Sequence, residues 1–290
     1  MTLFLWKNNL LRTTMKQKLL LFTALAFIAS AFFACGNDSM KKDSAFVTES
    51  MTDSVESKIG VLNYWTAITM DFPTKGNPQL VRSIREWIAE QAESSDSVDF
   101  ASAADLMKDF NRSNEKFFKK TYEEDFAGDG DVPEDLSLNF SRSMEFEKIF
   151  ENDHFVTYLS KEDIYLGGAH GSYFVKGVTF RKSDGRRFGY DMLKGSSRDS
   201  IAALITKNLD VYFEAKNFDE LKENLMLDEY VSQVPLPHNP PFLKGDTLMF
   251  VYQQYEIAAY AYGLPEAAIP LKDLKGLLSP SFVKETTEAK

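Results

Sequence analysis

Cysteine is almost absent from this chain of 290 residues, which has only Cys35. A single cysteine cannot form a disulfide within the chain and offers no pair of thiolates for a structural zinc site. Histidine is scarce as well, with His154, His170 and His238 and no H-E-x-x-H sequence. We therefore predict no metal and no cofactor. No nucleophile and base stand at a recognisable spacing, so the sequence assigns no catalytic residue.

Positive charge is in short supply beyond the N-terminus. Residues 1–35 hold four Lys and Arg and no acid, so the remainder has 29 basic against 43 acidic side chains, a formal charge of −14. Such a surface repels nucleic-acid phosphates and attracts a basic partner, and the attraction weakens as salt rises. We expect a basic partner and no binding to nucleic acid.

One long apolar run is present, at residues 19–34, between Lys18 and Cys35. A basic segment, an apolar segment and a small residue before cysteine are typical of a lipoprotein signal peptide. Phe33 is bulkier than usual there, and Met15 is an alternative start. The run of 16 residues is shorter than the about 20 that span a membrane, which disfavours an uncleaved anchor. We predict a cell-envelope lipoprotein, periplasmic or at the cell surface, held to the membrane through lipidated Cys35.

The chain as a whole is apolar enough to fold, with 44% hydrophobic and 13% aromatic residues among its 290. The segment after Cys35 is instead rich in Ser, Asp and Lys, which is typical of a flexible tether. The predicted divisions are a signal peptide (1–35), a tether (36–58), an N-terminal α+β subdomain (59–166), a C-terminal α+β subdomain (167–280) and a tail (281–290).

Hydrophobic periodicity predicts an α+β fold in which antiparallel sheets pack against helices. The turn sequences Asn152-Asp153 and Asp184-Gly185 indicate two hairpins. Alternation predicts strands at 62–72, 136–146, 155–159, 173–181, 187–191, 248–252, 256–261 and 267–269. Helical spacing predicts helices at 78–88, 102–122, 196–213, 218–225 and 271–278.

The most unusual local sequence is the glycine-rich stretch Gly167-Gly168-Ala169-His170-Gly171. Glycines let the backbone adopt positive φ or approach a ligand closely. His170 is then either a ligand contact or part of a tight strand connection, bonded to the backbone. Ser172 lacks the G-x-S-x-G frame of a hydrolase nucleophile. A second function therefore stays open, an enzyme that acts on peptidoglycan or another envelope glycan through His170 and nearby carboxylates.

Three other segments allow two interpretations each. Tyr252, Tyr255, Tyr260 and Tyr262 form either an aromatic platform for sugar rings or packing within the fold. The proline-rich loop around His238 is either a contact loop or a connector. The acidic stretch 125–135 is either a calcium loop of unusual spacing or a solvated loop.

Two of these motifs together carry a resemblance to a known family. The stretch 165–171, the Gly185 hairpin, Tyr255-Glu256-Ile257-Ala258-Ala259-Tyr260-Ala261-Tyr262-Gly263 and 268–271 resemble the extracytoplasmic domain of the RsiV-like lysozyme-sensing anti-sigma factors. Similar paired domains of unknown function occur in lipoproteins and beside a peptidoglycan deacetylase. The resemblance covers about Leu62 to Leu278 and is weaker in the first half.

The resemblance implies binding of lysozyme, a basic protein, or of an envelope glycan, without catalysis. The ligand-binding residues it favours are Gly167, Gly168, His170, Tyr255, Tyr260 and Tyr262. The chain departs from the signalling relatives, because the segment before its apolar run is at most 18 residues and a lipidation site follows. We therefore expect capture or inhibition of a ligand outside the membrane and no anti-sigma activity.

Overall fold

The computed structural model of the chain describes residues 45–125, 138–228 and 230–287. These belong to one compact unit, Asp43–Lys290. The predicted signal peptide, Cys35 and nearly all of the acidic stretch 125–135 lie outside the described residues. Within the described ranges, no helix has the length and apolar character to cross a membrane.

Nine strands and five helices make up the described part of the chain, and the α+β class is confirmed. The strands are β1 (Val47–Ile59), β2 (Leu62–Lys75), β3 (Leu138–Glu151), β4 (Phe155–Tyr165), β5 (Ser172–Arg181), β6 (Arg187–Phe188), β7 (Phe242–Lys244), β8 (Thr247–Val251) and β9 (Glu266–Pro270). The helices are α1 (Pro78–Gln91), α2 (Ala103–Asp125), α3 (Arg198–Tyr212), α4 (Phe218–Glu223) and α5 (Pro280–Thr287).

Strand β1 corrects the predicted tether, because Val47–Ile59 forms 13 residues of regular sheet. It pairs with β2 from Val47↔Lys75 to Ile59↔Leu62 through a turn in which Gly60 takes a φ of 60°. The tether was inferred from low hydrophobicity. An edge strand that is exposed along most of its length is stabilised mainly by backbone hydrogen bonds and needs few apolar side chains. Low hydrophobicity therefore did not indicate a strand in this segment.

The larger sheet has the order β1-β2-β3-β4-β5-β6, and its strands are antiparallel except for β2 and β3. The predicted antiparallel pairing is confirmed for the other neighbours, and the parallel pair was not predicted. Helices α1 and α2 lie between β2 and β3 in the chain and return it to the same end of the sheet, which makes a parallel neighbour possible. Strands β4 and β5 pair across the predicted subdomain boundary at residue 167.

Helices α1 and α2 bury one face of this sheet, as their apolar stripes predict. Asn77 caps α1, and its side chain accepts a hydrogen bond from the backbone N–H of Gln79 at 2.9 Å. Trp87 sits at the centre of the layer, with its ring edge-on to those of Phe146, Tyr158 and Phe180 at 5.8 to 6.5 Å. These contacts fix the sheet that carries β4 and β5.

The smaller sheet has the order β7-β8-β9 and packs with α3 and α5 around a second core. The rings of Phe155, Phe188 and Phe282 meet there at 5.4 to 5.8 Å. Phe282 belongs to α5, which occupies most of the predicted tail. Residues 281–287 of the predicted tail therefore belong to a helix, and Phe282 packs in the core.

Two predicted elements in the C-terminal part are wrong. Residues 256–261 were predicted as a strand but form turns that end in a 3₁₀ turn, Tyr260–Tyr262. Residues 271–278 were predicted as a helix but form successive turns, in which Gly276 takes a φ of 85°. Both segments still bury apolar residues, such as Ile257 and Leu274. The spacing of these residues therefore predicted burial correctly, although it did not predict the type of secondary structure.

Candidate functional site

The glycine-rich loop and the tyrosine-rich loop meet, although 85 residues separate His170 from Tyr255. The His170 ring stacks on Tyr260 with a centroid distance of 3.9 Å and an angle of 24°. The Tyr255 ring lies 6.5 Å from that of His170 and 6.0 Å from that of Tyr260. We call these three side chains the ring cluster.

The hydrogen bonds of His170 fix its neutral tautomer. Its Nδ1 lies 2.9 Å from the carbonyl oxygen of Gly171, which can only accept, so Nδ1 carries the proton. Nε2 is then free to accept from the Tyr255 hydroxyl at 3.3 Å. His170 is thus bonded to the backbone of its own loop, and its ring also faces the tyrosines.

Glycines shape the His170 loop without lining the ring cluster. Gly167 and Gly168 have φ of 85° and 91°, and the Gly168 carbonyl accepts from the Tyr165 hydroxyl at 3.1 Å. A Cβ at Gly171 would lie 2.8 Å from the Ile164 carbonyl oxygen, so only glycine fits there. Gly167 and Gly168, which are predicted ligand contacts, thus supply the positive φ of the loop that presents His170.

Two glutamines hold the tyrosine-rich loop against β5, and sequence reasoning missed them. Gln253 forms a pair of hydrogen bonds with Val175, accepting from its N–H at 3.1 Å and donating to its carbonyl at 2.8 Å. Gln254 accepts from the N–H of Tyr173 at 3.0 Å. Their amides replace a strand partner along β5, which places Tyr255 beside the loop that precedes this strand. Adjacent glutamines before a tyrosine-rich stretch were the available signal.

Glu256 ties the proline-rich loop to the same segment. Its buried carboxylate accepts from the N–H of Gln253 at 2.8 Å and of His238 at 2.6 Å, and lies 3.3 Å from the His238 ring. The Tyr252 hydroxyl donates to the Pro235 carbonyl at 2.6 Å, and burial raises the pKa of Tyr252 well above its usual range. Glu256 therefore links His238 and the proline-rich loop to the tyrosine-rich loop.

Tyr262 points away from the ring cluster towards the helices. Its hydroxyl donates to Asn224 at 2.7 Å, and its ring lies 5.0 Å from that of Phe213. Its carbonyl accepts from the Tyr212 hydroxyl at 2.7 Å. Tyr262 thus anchors the end of the loop, Tyr252 belongs to the core, and the exposed Tyr255 and the half-buried Tyr260 form the ring cluster with His170.

The ring cluster offers stacking faces and hydrogen bonds to a ligand. Tyr255 is 52% exposed and His170 is exposed beside it. The ring nitrogens of His170 contact a carbonyl and a phenol, and neither contact is a carboxylate that could act with it in acid–base chemistry. In the described ranges, no three His, Cys, Asp or Glu side chains converge as metal ligands. The geometry suits recognition of a sugar ring or a side chain of a partner.

Comparison with known proteins agrees with this fold. Residues 191–272 match the model of a family described as a protein of unknown function, DUF3298. That segment includes Tyr255, Tyr260 and Tyr262 but not His170. No curated protein matches the chain.

Two solved structures of DUF3298 family proteins are similar to this one. A member from Bacteroides fragilis NCTC 9343 has a TM-score of 0.68 at 18% identity, over 85% of this chain and 100% of that one. A protein from Pseudomonas aeruginosa PAO1 has a TM-score of 0.55 at 17% identity, over 83% and 97% of the two chains. At these identities the likeness establishes the fold, including the first half, where sequence resemblance is weak.

Proposed function

We propose that this chain is a non-catalytic lipoprotein of the cell envelope that binds a protein or glycan ligand through the ring cluster. The observation that carries the proposal is the stack of His170 on Tyr260 beside the exposed ring of Tyr255. Exposed aromatic side chains clustered on a surface mark recognition sites more often than isolated ones. Gln253 and Gln254 hold the cluster on the sheet, so little conformational entropy is lost on binding.

Lysozyme is the protein ligand that the sequence favours. The resemblance to RsiV-like domains implies it, and the charge of −14 after Cys35 complements a basic protein. A glycan is the second ligand class, because tyrosine faces stack on the apolar faces of sugar rings. Both ligands would use Tyr255, but only the binding of lysozyme would depend strongly on salt.

Calorimetric titration of the full chain in detergent with lysozyme, at low and at physiological salt, tests the protein ligand. We expect binding that weakens at the higher salt and that falls by about tenfold or more in Tyr255→Ala, the loss typical of an interface hot spot. Tyr230→Ala is the matched control, because Tyr230 is 92% exposed and lies outside the ring cluster. Equal losses in the two variants would remove the ring cluster from the proposal.

Sedimentation with purified peptidoglycan tests the glycan. Binding that survives physiological salt and is lost in Tyr255→Ala identifies a glycan ligand. Absence of binding to lysozyme and to peptidoglycan would overturn both ligand assignments.

Anchoring is a separate part of the proposal, since Cys35 lies outside the described residues. We expect metabolic labelling with a fatty acid analogue to mark the wild-type chain and to be lost in Cys35→Ser, because the thiol is the atom that receives the lipid. Retained labelling in Cys35→Ser would show that lipid is attached elsewhere or that the signal was misidentified.

A further inference from the structure

A cavity lies between helix α2 and strands β3 to β5, built from residues that the ring cluster does not use. Its volume is about 430 Å³, within the range of small-molecule sites. Four of its lining residues are apolar and five are polar or charged, and Arg142 is one of the latter. The lining residues used below are Glu93, Asn114, Phe117, Arg142, Ile164 and Phe174.

Arg142 supplies a buried positive charge to this cavity. The residue is only 9% exposed, and its guanidinium carbon lies 5.8 Å from the centroid of the Phe110 ring. Its Nε donates to Glu162 at 2.7 Å, and Nη1 donates to the Asn114 side chain at 3.2 Å. These two partners are fixed by β4 and α2, and they hold the guanidinium plane in place.

The third partner, Glu93, holds Arg142 less tightly. Both Nη atoms donate to the same oxygen, Glu93 Oε2, at 3.1 Å each. A carboxylate that presents one oxygen to each nitrogen makes shorter and stronger bonds. The Glu93 side chain is 70% exposed, so it can leave the guanidinium for solvent at little cost.

The backbone of Glu93 is equally unusual. It follows α1 with a φ of 54°, and the N–H of Ser94 bonds to the Ala89 carbonyl at 3.0 Å. This is the left-handed position at a helix end, where glycine is preferred. A glutamate is less stable than glycine in this backbone conformation, yet here it places a carboxylate against Arg142. This is expected if the Glu93 carboxylate fills a site that can also hold the carboxylate of a ligand.

Phe117 shows where an apolar group would bind. Helical spacing predicted it within the buried stripe of α2, yet it is 40% exposed at the cavity. Ile164 and Phe174 line the same space from β4 and β5. A ligand with a carboxylate at Arg142 would therefore place an apolar body against these three side chains.

We propose that this cavity binds a small amphipathic carboxylate, whose carboxylate displaces Glu93 from Arg142 while its apolar body packs on Phe117. The exchange keeps the charge around Arg142 constant, because one carboxylate replaces another. The site is independent of the ring cluster and of the function proposed for it.

The probe is 3-phenylpropionate, with 3-phenylpropanol as its uncharged counterpart. Calorimetric titration into the full chain in detergent, with the same titration into protein-free detergent subtracted, is expected to show saturable binding of the acid alone. Equal binding of the alcohol would overturn the role of Arg142.

Glu93→Ala gives the sharpest test, because it should tighten binding. Removal of the competing carboxylate is expected to increase affinity by about fivefold, in the range of a partly exposed ion pair. Glu115→Ala is the matched control, since Glu115 is an exposed glutamate on α2. It removes the same charge and should leave affinity unchanged.

Phe117→Ala tests the apolar part of the site and is expected to weaken binding several-fold. Circular dichroism of each variant confirms that it is folded, and no substitution of the buried Arg142 is needed. Weaker binding of 3-phenylpropionate in Glu93→Ala would overturn the proposal, because it would show that Glu93 supports the bound ligand and does not compete with it. Unchanged affinity in both Glu93→Ala and Phe117→Ala would overturn it as well.

Discussion

At the scale of single residues, side chains that a left-handed backbone disfavours occur at both proposed sites. Glu93 and Tyr255 have φ of 54° and 63°. Such conformations cost of order 1 kcal/mol for residues other than glycine and cluster at binding sites. The Tyr255 ring is half exposed, so packing alone does not account for tyrosine at this position. Tyr255 is the residue through which we propose that the ring cluster contacts its ligand.

Tyr255→Gly should therefore separate stability from function. Glycine relieves the left-handed backbone, which offsets the loss of the ring contacts to His170 and Tyr260, so we expect the free energy of unfolding to change by less than about 1 kcal/mol. Ligand binding should be lost. Urea unfolding and titration of the same preparation measure the two effects, and a loss of stability well above that bound would identify Tyr255 as a structural residue.

At the scale of elements, β5 is the strand on which both parts of the molecule depend. It pairs with β4 and β6 and receives the side chains of Gln253 and Gln254. At Gly177, strand β5 also contacts the ring of Phe242 on β7. This ring occupies the space that a side chain at position 177 would fill. The smaller sheet thus packs against the larger one at a position where the absence of a side chain leaves room for Phe242.

Gly177→Ala is expected to destabilise the protein by about 1–3 kcal/mol, because the added methyl group overlaps the Phe242 ring and forces β7 outwards. Thermal unfolding followed by circular dichroism measures the change. Gly195→Ala is the matched control, since an added Cβ there meets nothing within 4 Å. An equal effect in both variants would show that loss of glycine flexibility, and not the contact with Phe242, is responsible.

At the scale of the whole molecule, buried tyrosines make stability sensitive to alkaline pH. Burial is the main cause that raises the pKa of Tyr158 and Tyr252 well above the usual value and that of Tyr190 to about 12. The hydroxyls of all three donate to backbone carbonyls, of Asp71, Pro235 and Pro237 respectively. Each is therefore held neutral in the folded state.

The sign of the pH effect follows from these shifts. Tyrosines in the unfolded chain lose their protons near pH 10, before those of the folded chain, so stability is unaffected below about pH 10 and falls as pH rises towards 12. Each such tyrosine contributes a slope of up to about 1.4 kcal/mol per pH unit. Urea midpoints measured across this interval should decrease.

Tyr158→Phe is expected to flatten that decrease, although it lowers stability at neutral pH by about 1 kcal/mol through the lost hydrogen bond to Asp71. Tyr230→Phe, at a site 92% exposed, should keep the wild-type profile. A profile unchanged by Tyr158→Phe would show that other groups control alkaline unfolding.

The candidate site was only partly accessible from sequence. His170, Tyr255 and Tyr260 were found because glycine and tyrosine spacing is visible locally, and the structure brings them together. Their contact depends on Gln253 and Gln254, whose bonds to β5 join segments about 80 residues apart. Tyr262 could not be distinguished from Tyr255 by pattern, since its contacts with Asn224 and Phe213 depend on residues distant in the chain.

What the sequence by itself determined is local: the hairpins at Asn152-Asp153 and Asp184-Gly185, and the periodic strands and helices with a buried face. Tertiary structure decided the rest. Strand β1 forms because β2 offers it a partner, β2 and β3 run parallel because two helices intervene, and Arg142 is neutralised by residues from other elements. Side-chain periodicity reports burial, whereas pairing and charge compensation depend on residues distant in the chain.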